Sequence, residues 1–216
     1  MRSLAKLPKP DVLAANEANW LDDFLADPDN STKRYRYRHP EIKSTLRAET
    51  SNKCVYCESK IGHNTPGDVE HKVPSSKMPL RHFDWLNLTL ACTECNRRKN
   101  SFYSDADGFL DPYTDAIEAH LEHHGPVVSW KQGDVRGEIF VSTLELCSEH
   151  RAALVARKID KLNQLVHLLE RHAAETNGLL KGLLQRQIRD MASPAGEYSA
   201  MIEDTLHRKG YAHLLG

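Results

Sequence analysis

Apolar residues recur at helical spacing near the N-terminus of this 216-residue chain. The apolar face consists of Leu13, Trp20, Leu21 and Phe24. It predicts an α-helix over residues 11–26, with Asp11 as its N-cap. Pro40 stands where a proline favours the first turn of a second, short helix. We therefore predict that residues 1–50 form an N-terminal helical segment.

The strongest helical pattern lies in the C-terminal half of the chain. Apolar residues alternate at spacings of four and three through residues 149–175, at Val155, Ile159, Leu162, Val166 and Leu169. This seam predicts an amphipathic helix that either packs on its own domain or docks a partner protein or a second copy in a homodimer. Further helices are predicted at residues 179–191 and 194–208, the latter with Ser193 as its N-cap.

Short β-rich runs precede these helices. Residues 127–130 and 138–141 are predicted to pair as a hairpin, because Gly133 and Asp134 between them favour a turn. We assign residues 116–216 to this hairpin plus a C-terminal helical region, and we place partner docking there.

The middle of the chain combines two strands and a helix. Residues 69–73 and 85–91 have the composition of strands, and a helix is predicted to open at Cys92 in the segment CTECNRRKNSF. Strand, loop, strand and helix make a ββα-metal arrangement. The predicted fold is therefore α+β and mainly helical, with a ββα-metal core in residues 51–115 between helical flanks.

Composition narrows the classes of function. A hydrophobic share of 40%, a charged share of 27% and a mean hydropathy of -0.58 describe an ordinary soluble protein. No apolar run approaches the roughly 18 to 20 residues that a membrane span needs, and the N-terminus lacks a secretory signal, so we expect a cytoplasmic protein. The net charge of -1 excludes a globally basic nucleic-acid coat protein and leaves binding through a local patch.

Four of the five cysteines stand in two CxxC pairs, at Cys54, Cys57, Cys92 and Cys95. Four thiolates at this spacing can close a tetrahedral Zn²⁺ site, and a reducing compartment favours metal over disulfides. Redox activity or disulfide pairing is the alternative. Cys147, in an apolar stretch, is interpreted as a small hydrophobic residue.

An acid, a histidine and two asparagines lie between and beside the cysteine pairs. His71 is the natural general base for phosphodiester hydrolysis, since its unperturbed pKa lies near about 6.5. Glu70 and Asn96 could supply oxygen ligands to Mg²⁺, and Asn87, on the second strand, could hold the His71 loop. Singly, each has a simpler interpretation: a surface histidine, a solvated acid, a turn former or a helix-start residue.

Two basic stretches are candidate nucleic-acid contacts. The segment KRYRYRH, with Arg34 and Arg36, interleaves basic and aromatic residues, although an edge strand with solvated charges explains it equally well. Arg97, Arg98 and Lys99 lie one turn from the expected metal, so at least one of them should face the phosphate. Five other histidines are expected at the surface: His63, His82, His120, His123 and His124.

Taken as one string, C-x-x-C … E-H-x-x-P-x-S … W-x-N-L … A-C-x-x-C-N-x-x-K resembles an HNH endonuclease. Within that superfamily it is similar to the nuclease subunit of Septu-type and retron-associated anti-phage systems. The resemblance implies a Mg²⁺- or Mn²⁺-dependent nuclease with His71 as base, Asn87 supporting it, and Glu70 and Asn96 on the metal. It also implies an ABC- or SMC-like ATPase partner. Asn96 replaces a histidine found in many such enzymes, which favours Mg²⁺.

Three hypotheses about function follow. The first is a metal-dependent HNH endonuclease, acting on DNA as the effector of an anti-phage complex with an ATPase. The second is a non-catalytic zinc module that binds nucleic acid or protein, which would need the four cysteines but not Glu70, His71 and Asn96. The third is a free-standing restriction- or homing-type nuclease, for which a dedicated basic recognition domain is expected and none is evident.

Overall fold

The computed structural model describes residues 1–62, 67–104 and 108–216. His63, which was expected at the surface, lies outside these residues. The described residues form a mixed, mainly helical fold with two small antiparallel sheets. Within them, no helix combines the length and the apolar character that crossing a membrane requires.

The helices and strands have the following bounds. The α-helices are α1 (Asp11–Ala26), α2 (Ser31–Arg34), α3 (Pro40–Glu49), α4 (Thr93–Lys99), α5 (Ile117–His120), α6 (Val135–Leu144), α7 (Ala152–Ala174), α8 (Gly178–Ala192) and α9 (Ser199–Arg208). The strands are β1 (Gly67–His71), β2 (Leu88–Cys92), β3 (Leu121–His124) and β4 (Val127–Trp130). Short 3₁₀-helices span Tyr35–Arg38, Pro79–Arg81, Trp85–Asn87, Glu149–Arg151 and Ala212–Leu214.

The chain divides into two compact units. The N-terminal unit comprises Leu4–Tyr56 and Lys60–Asp115, and the C-terminal unit comprises Met1–Ser3, Cys57–Ser59 and Ala116–Gly216. The N-terminal helices α1 to α3 therefore share a unit with β1, β2 and α4.

Helix α1 has the predicted bounds but a different cap. Pro10 is the N-cap and Asp11 is the first helical residue, where its negative charge faces the positive end of the helix dipole. Helix α3 begins at Pro40 as predicted, and the imidazole of His39 accepts a hydrogen bond from the Glu41 backbone N–H at 3.3 Å.

Strands β1 and β2 pair antiparallel, with His71 opposite Leu88 and Glu70 opposite Thr89. The second strand begins later than predicted, because Trp85–Asn87 is a 3₁₀ turn. The Asp84 side chain accepts from the Leu86 N–H at 2.9 Å and so caps that turn. Asn87 consequently lies before the strand and not on it, which corrects the prediction.

The basic-aromatic segment is not an edge strand. The Asn30 side chain accepts hydrogen bonds from the backbone N–H groups of Thr32 and Lys33, which starts helix α2. A 3₁₀-helix over Tyr35–Arg38 follows directly. The edge-strand interpretation was therefore wrong, since alternating basic and aromatic residues here occupy a helical turn.

The predicted strand at residues 127–130 is present, but its partner strand is not the predicted one. Strand β4 pairs with β3, across a turn in which Gly125 adopts a φ of +61°, and not with residues 138–141. Those residues lie in helix α6, because the Asp134 side chain accepts from the Gly137 N–H at 3.0 Å and caps the helix. A short apolar run does not by itself distinguish a strand from a buried helix segment.

Helix α7 buries a different face from the predicted seam. Its buried residues are Leu154, Lys158, Leu165 and Leu169. Of the predicted seam only Leu169 is buried, while Ile159 and Val166 are 44% and 37% exposed. The buried stripe therefore runs beside the predicted one and includes a lysine.

Helix α9 starts five residues later than predicted. The chain first turns through residues 193–196, with the Gly196 N–H donating to the Ser193 carbonyl at 2.8 Å. A Cβ on Gly196 would lie 2.2 Å from the Met191 carbonyl oxygen, so only glycine fits this close return. Pro194 consequently belongs to the turn and not to the helix.

Candidate functional site

The four cysteines of the two CxxC pairs converge. Their sulfur atoms all lie within 4.8 Å of one another, and all four residues are buried. Cys92 ends β2 and caps α4, with its sulfur accepting from the Cys95 N–H at 3.4 Å. A tetrahedral zinc site with Zn–S bonds of about 2.3 Å needs sulfur atoms roughly 3.8 Å apart. The cluster therefore fits a zinc ion by donor type and by spacing.

A second group of predicted residues lines one cavity of the N-terminal unit. This cavity has a volume of about 210 Å³. Glu70 and His71 reach it from the end of β1, and Asn96 reaches it from α4. The antiparallel pairing of β1 with β2, which leads directly into α4, brings the strand and the helix together. Asn96, which lies 25 positions after His71 in the sequence, thus shares one pocket with Glu70 and His71.

His71 is held in a single tautomer. Its Nε2 lies 2.8 Å from the backbone carbonyl oxygen of His82. A carbonyl oxygen only accepts, so Nε2 carries the proton and Nδ1 keeps the lone pair. Burial, followed by the neighbouring His82 ring, lowers the pKa of His71 to about 3. The ring is therefore neutral at neutral pH, and a phosphate beside it would raise its basicity.

Glu70 lies in a buried ion pair with Lys99. The Lys99 Nζ is 2.7 Å from a Glu70 carboxylate oxygen and donates to the His71 carbonyl at 3.0 Å. Burial raises the pKa of Glu70, while the Lys99 charge opposes that rise. Breaking such a pair from one side typically costs about 3–5 kcal/mol. Lys99, expected on the face toward the phosphate or toward solvent, instead lies buried beside the carboxylate.

The neighbouring arginines of α4 are engaged with an acid on the same helix. Arg97 and Arg98 both pair with Glu94, at 2.9 and 2.7 Å. The Arg97 side chain is 64% exposed and that of Arg98 only 9%. Of the three predicted contacts on this helix, Arg97 is thus the one that faces solvent.

Asn87 closes the loop that follows His71. Its Oδ1 accepts from the Val73 N–H at 2.7 Å, and its Nδ2 donates to the carbonyls of Val73 and Arg81 at 3.0 Å each. The residue is fully buried. One side chain therefore ties both ends of the loop between β1 and β2, next to the residue that carries the imidazole.

The basic-aromatic segment forms one wall of the same cavity. Arg34, Tyr35 and Tyr37 line it, and the Tyr37 ring meets the His71 ring edge-on at 4.6 Å. Arg34 is exposed, whereas Arg36 pairs with Asp23 at 2.6 Å. Of the two predicted arginines, Arg34 is the one at the cavity.

Two histidines expected at the surface are buried, so those predictions were wrong. His82 is 1% exposed and lines the cavity beside His71. His123, on β3 in the C-terminal unit, is 7% exposed. Periodicity does not mark His82, because it lies in the irregular loop between β1 and β2. Its aromatic neighbours Phe83 and Trp85 are the only local signal of burial.

The cavity offers the ligands that a hard divalent cation prefers. Glu70 supplies a carboxylate and Asn96 an amide oxygen, and two such ligands leave positions for water and phosphate oxygens. Mg²⁺ retains several waters and is typically held by few protein oxygens, so the residues present fit it. A neutral imidazole with a free lone pair stands beside these ligands.

Comparisons with known proteins converge on the same segment. Residues 54–102 match the HNH endonuclease family. The chain is also similar to the Septu protein PtuB of Bacillus thuringiensis, with 28% identity over 217 residues, covering 95% of this chain and 82% of the relative. The Septu protein PtuB of Bacillus mycoides strain KBAB4 is 24% identical over 182 residues, covering 70% of this chain and 60% of that relative.

The matched segment contains both the cysteine cluster and the cavity residues Glu70, His71 and Asn96. The chain thus carries an HNH endonuclease domain in residues 54–102 and is a homologue of the Septu protein PtuB over most of its length.

Proposed function

We propose that this protein is a metal-dependent HNH endonuclease that cuts phosphodiester bonds in DNA. The observation that carries the proposal is the shared cavity of Glu70, His71 and Asn96 inside the HNH segment. We propose that the arrangement is a ββα-metal core, built from β1, β2 and α4, with zinc on the two CxxC knuckles as a structural ion. A non-catalytic zinc module would not need these three residues in one pocket.

His71 acts as the general base in this proposal. Its Nδ1 lone pair takes a proton from the attacking water, while Nε2 keeps its proton and donates it in a hydrogen bond to the His82 carbonyl oxygen. Asn87 keeps the loop after His71 closed and so fixes the position of the imidazole. The base therefore needs no reorientation when substrate arrives.

Glu70 and Asn96 hold a Mg²⁺ or Mn²⁺ ion in this proposal. Such an ion supplies charge neutralisation for the phosphate and for the departing oxygen. Burial raises the pKa of Glu70, and the Lys99 ammonium opposes that rise and so favours the ionised carboxylate, which is the form that binds a cation. The ammonium and the ion, both positively charged, would each lower the pKa of the Glu70 carboxyl group.

The substrate strand lies along the wall formed by Arg34 and Tyr35. Arg34 is exposed there, and the Arg38 guanidinium lies 4.4 Å from the centroid of the Tyr35 ring. A cationic group on an aromatic face suits both a phosphate and a stacked base. Arg97, exposed on α4, is the second phosphate contact. Because the net charge is only -1, these few groups give weak affinity for a polyanion.

Cleavage assays with purified full-length protein test this activity. Plasmid DNA, single-stranded DNA and single-stranded RNA are incubated with Mg²⁺, with Mn²⁺ or with EDTA, and bound zinc is measured in parallel. We expect DNA cleavage that needs Mg²⁺ or Mn²⁺ and stops in EDTA while zinc remains bound. Glu70→Gln and Asn96→Ala should raise the Mg²⁺ concentration needed for half-maximal rate.

The matched control for the metal ligands is Asn163→Ala, at an exposed position of α7. Cleavage that persists after the divalent metal has gone would contradict the metal-dependent mechanism. Nucleic-acid binding without cleavage under every condition, including with an ATPase partner, would support the zinc-module hypothesis instead.

The protein works in the cytoplasm as the effector of an anti-phage complex with an ATPase partner, and this part of the proposal rests on the similarity to Septu PtuB. A nuclease with weak affinity for DNA needs a partner that brings it to its substrate and that keeps it inactive at other times. The docking surface consists of exposed apolar residues of α7 and α8, among them Ile159, Leu179 and Leu183, which are 44%, 79% and 50% exposed. Exposed apolar side chains on consecutive helices favour a protein partner over solvent.

Charged substitutions test this surface. Co-expression with the proposed ATPase partner should give a stable complex, and Ile159→Asp or Leu183→Asp should disrupt it while the melting temperature stays unchanged. Gln164→Asp, at an exposed position on a different face of the same helix, is the matched control and should leave the complex intact. An isolated chain that degrades DNA rapidly and binds no ATPase would favour the free-standing nuclease, and self-association lost in the same variants would favour a homodimer.

A further inference from the structure

The His71 and His82 rings are stacked. Their centroids are 4.8 Å apart with an interplanar angle of 15°. The opposite face of His82 stacks on Phe24 at 4.0 Å, and the Tyr37 ring meets both imidazoles edge-on, at 4.6 and 5.1 Å. His82 is therefore clamped between an aromatic ring and the proposed base.

Hydrogen bonds fix the His82 ring in its own plane as well. Its Nε2 lies 2.7 Å from the Arg34 carbonyl oxygen, which can only accept, so this nitrogen carries the proton. Its Nδ1 then accepts from the Ser75 hydroxyl at 2.5 Å. Both ring nitrogens are satisfied, and the ring can neither flip nor slide without losing a hydrogen bond in a buried place.

The backbone of the same residue holds the base. The His82 carbonyl oxygen accepts the Nε2 proton of His71, and this bond leaves Nδ1 as the basic nitrogen. The position of that oxygen depends on the His82 backbone, which lies in an irregular loop and whose anchored side chain limits its movement. Anchoring the side chain thus places the oxygen that selects the His71 tautomer.

We infer that His82 is a positioning residue for His71, acting through the Ser75 and Arg34 hydrogen bonds and the ring stack to hold the base in its Nε2–H tautomer. The inference rests on the proposed function in one respect, namely that His71 is the base. Because its Arg34 partner belongs to the segment that lines the cavity, His82 also joins the substrate wall to the base. Misplacing a reacting group by about 1 Å can cost roughly 100-fold in rate.

Three variants separate the contributions. His82→Phe keeps a ring in the stack but loses both hydrogen bonds, His82→Gln keeps a donor for the Arg34 carbonyl, and Ser75→Ala removes only the hydroxyl. We expect His82→Phe to lower kcat by about 10- to 100-fold with KM nearly unchanged. His82→Gln should recover part of the loss, and Ser75→Ala should show a smaller loss. His167→Phe, at a side chain that is 76% exposed on α7, is the matched control.

The ¹⁵N chemical shifts of the His71 ring give a readout that does not depend on activity. In the wild type they should show protonation at Nε2 alone, and in His82→Phe a mixture of tautomers. Unchanged tautomer and kcat in folded His82→Phe and Ser75→Ala would overturn the inference, as would a loss confined to KM or to the melting temperature. If the wild type cleaves nothing, the proposed function fails, and the tautomer shift still decides whether His82 positions His71.

Discussion

His71→Ala protein is expected to lose cleavage by about 10²- to 10⁴-fold, because the substitution removes the imidazole nitrogen that we propose takes a proton from water. The lost group lies beside the proposed metal ligands and is not one of them, so divalent-metal and DNA affinity should stay within a few-fold of the wild type. Single-turnover cleavage rates measure the loss, and calorimetric titration with Mn²⁺ and filter binding of DNA measure what remains.

The matched control for His71→Ala is His167→Ala, which removes an exposed imidazole from α7. It should cut at the wild-type rate. Because the pKa of His71 is lowered to about 3, the ring stays neutral near neutral pH, and its protonation should not affect the pH dependence of the wild-type rate in that range. A His71→Ala protein that cuts as fast as the wild type would remove His71 from the mechanism.

The candidate site could be predicted from the sequence, because its characteristic residue types occur in short motifs. Each CxxC pair spans four residues, and Glu70 directly precedes His71, so their chemistry is visible without a fold. The structure brings the four sulfur atoms together and places Asn96 in the cavity with Glu70 and His71. Helical periodicity likewise located α1, α7 and α8, because helices of 15 or more residues repeat their pattern several times.

The burial of Lys99 and His82 and the buried face of α7 could not be predicted, because each depends on residues that are distant in sequence. Lys99 was expected at the surface because a lysine on a short polar helix usually is, and the carboxylate that buries it lies 29 positions earlier. His82 is buried by rings from α1 and from the 3₁₀-helix that contains Tyr37. On α7, two adjacent stripes were both apolar enough to pack, and the neighbouring elements selected the one containing Leu154 and Leu165.

The second large effect is expected from the cluster of four cysteines. Cys95→Ser should carry almost no zinc and should fail to fold the HNH segment, whereas the wild type should hold about one Zn²⁺ per chain. Structural zinc contributes about 10–16 kcal/mol of apparent binding free energy in zinc-finger peptides. A domain of this size has a net stability of only about 5–15 kcal/mol, so losing the ion removes most or all of it. Cys95 is fully buried and supplies one of the four sulfur atoms of the cluster.

Cys147→Ser supplies the matched control, because it makes the same change of sulfur to oxygen outside the cluster. Cys147 is half-buried, and its sulfur exchanges hydrogen bonds with the Val128 backbone that a serine hydroxyl can also form. This variant should keep a full complement of zinc and lose no more than about 1 kcal/mol of unfolding free energy. Elemental analysis, thiol alkylation before and after chelation, and thermal unfolding measure both proteins side by side. Folded, soluble wild-type protein without zinc, or Cys95→Ser as stable as Cys147→Ser, would show that the four sulfur atoms pack together for a reason other than metal.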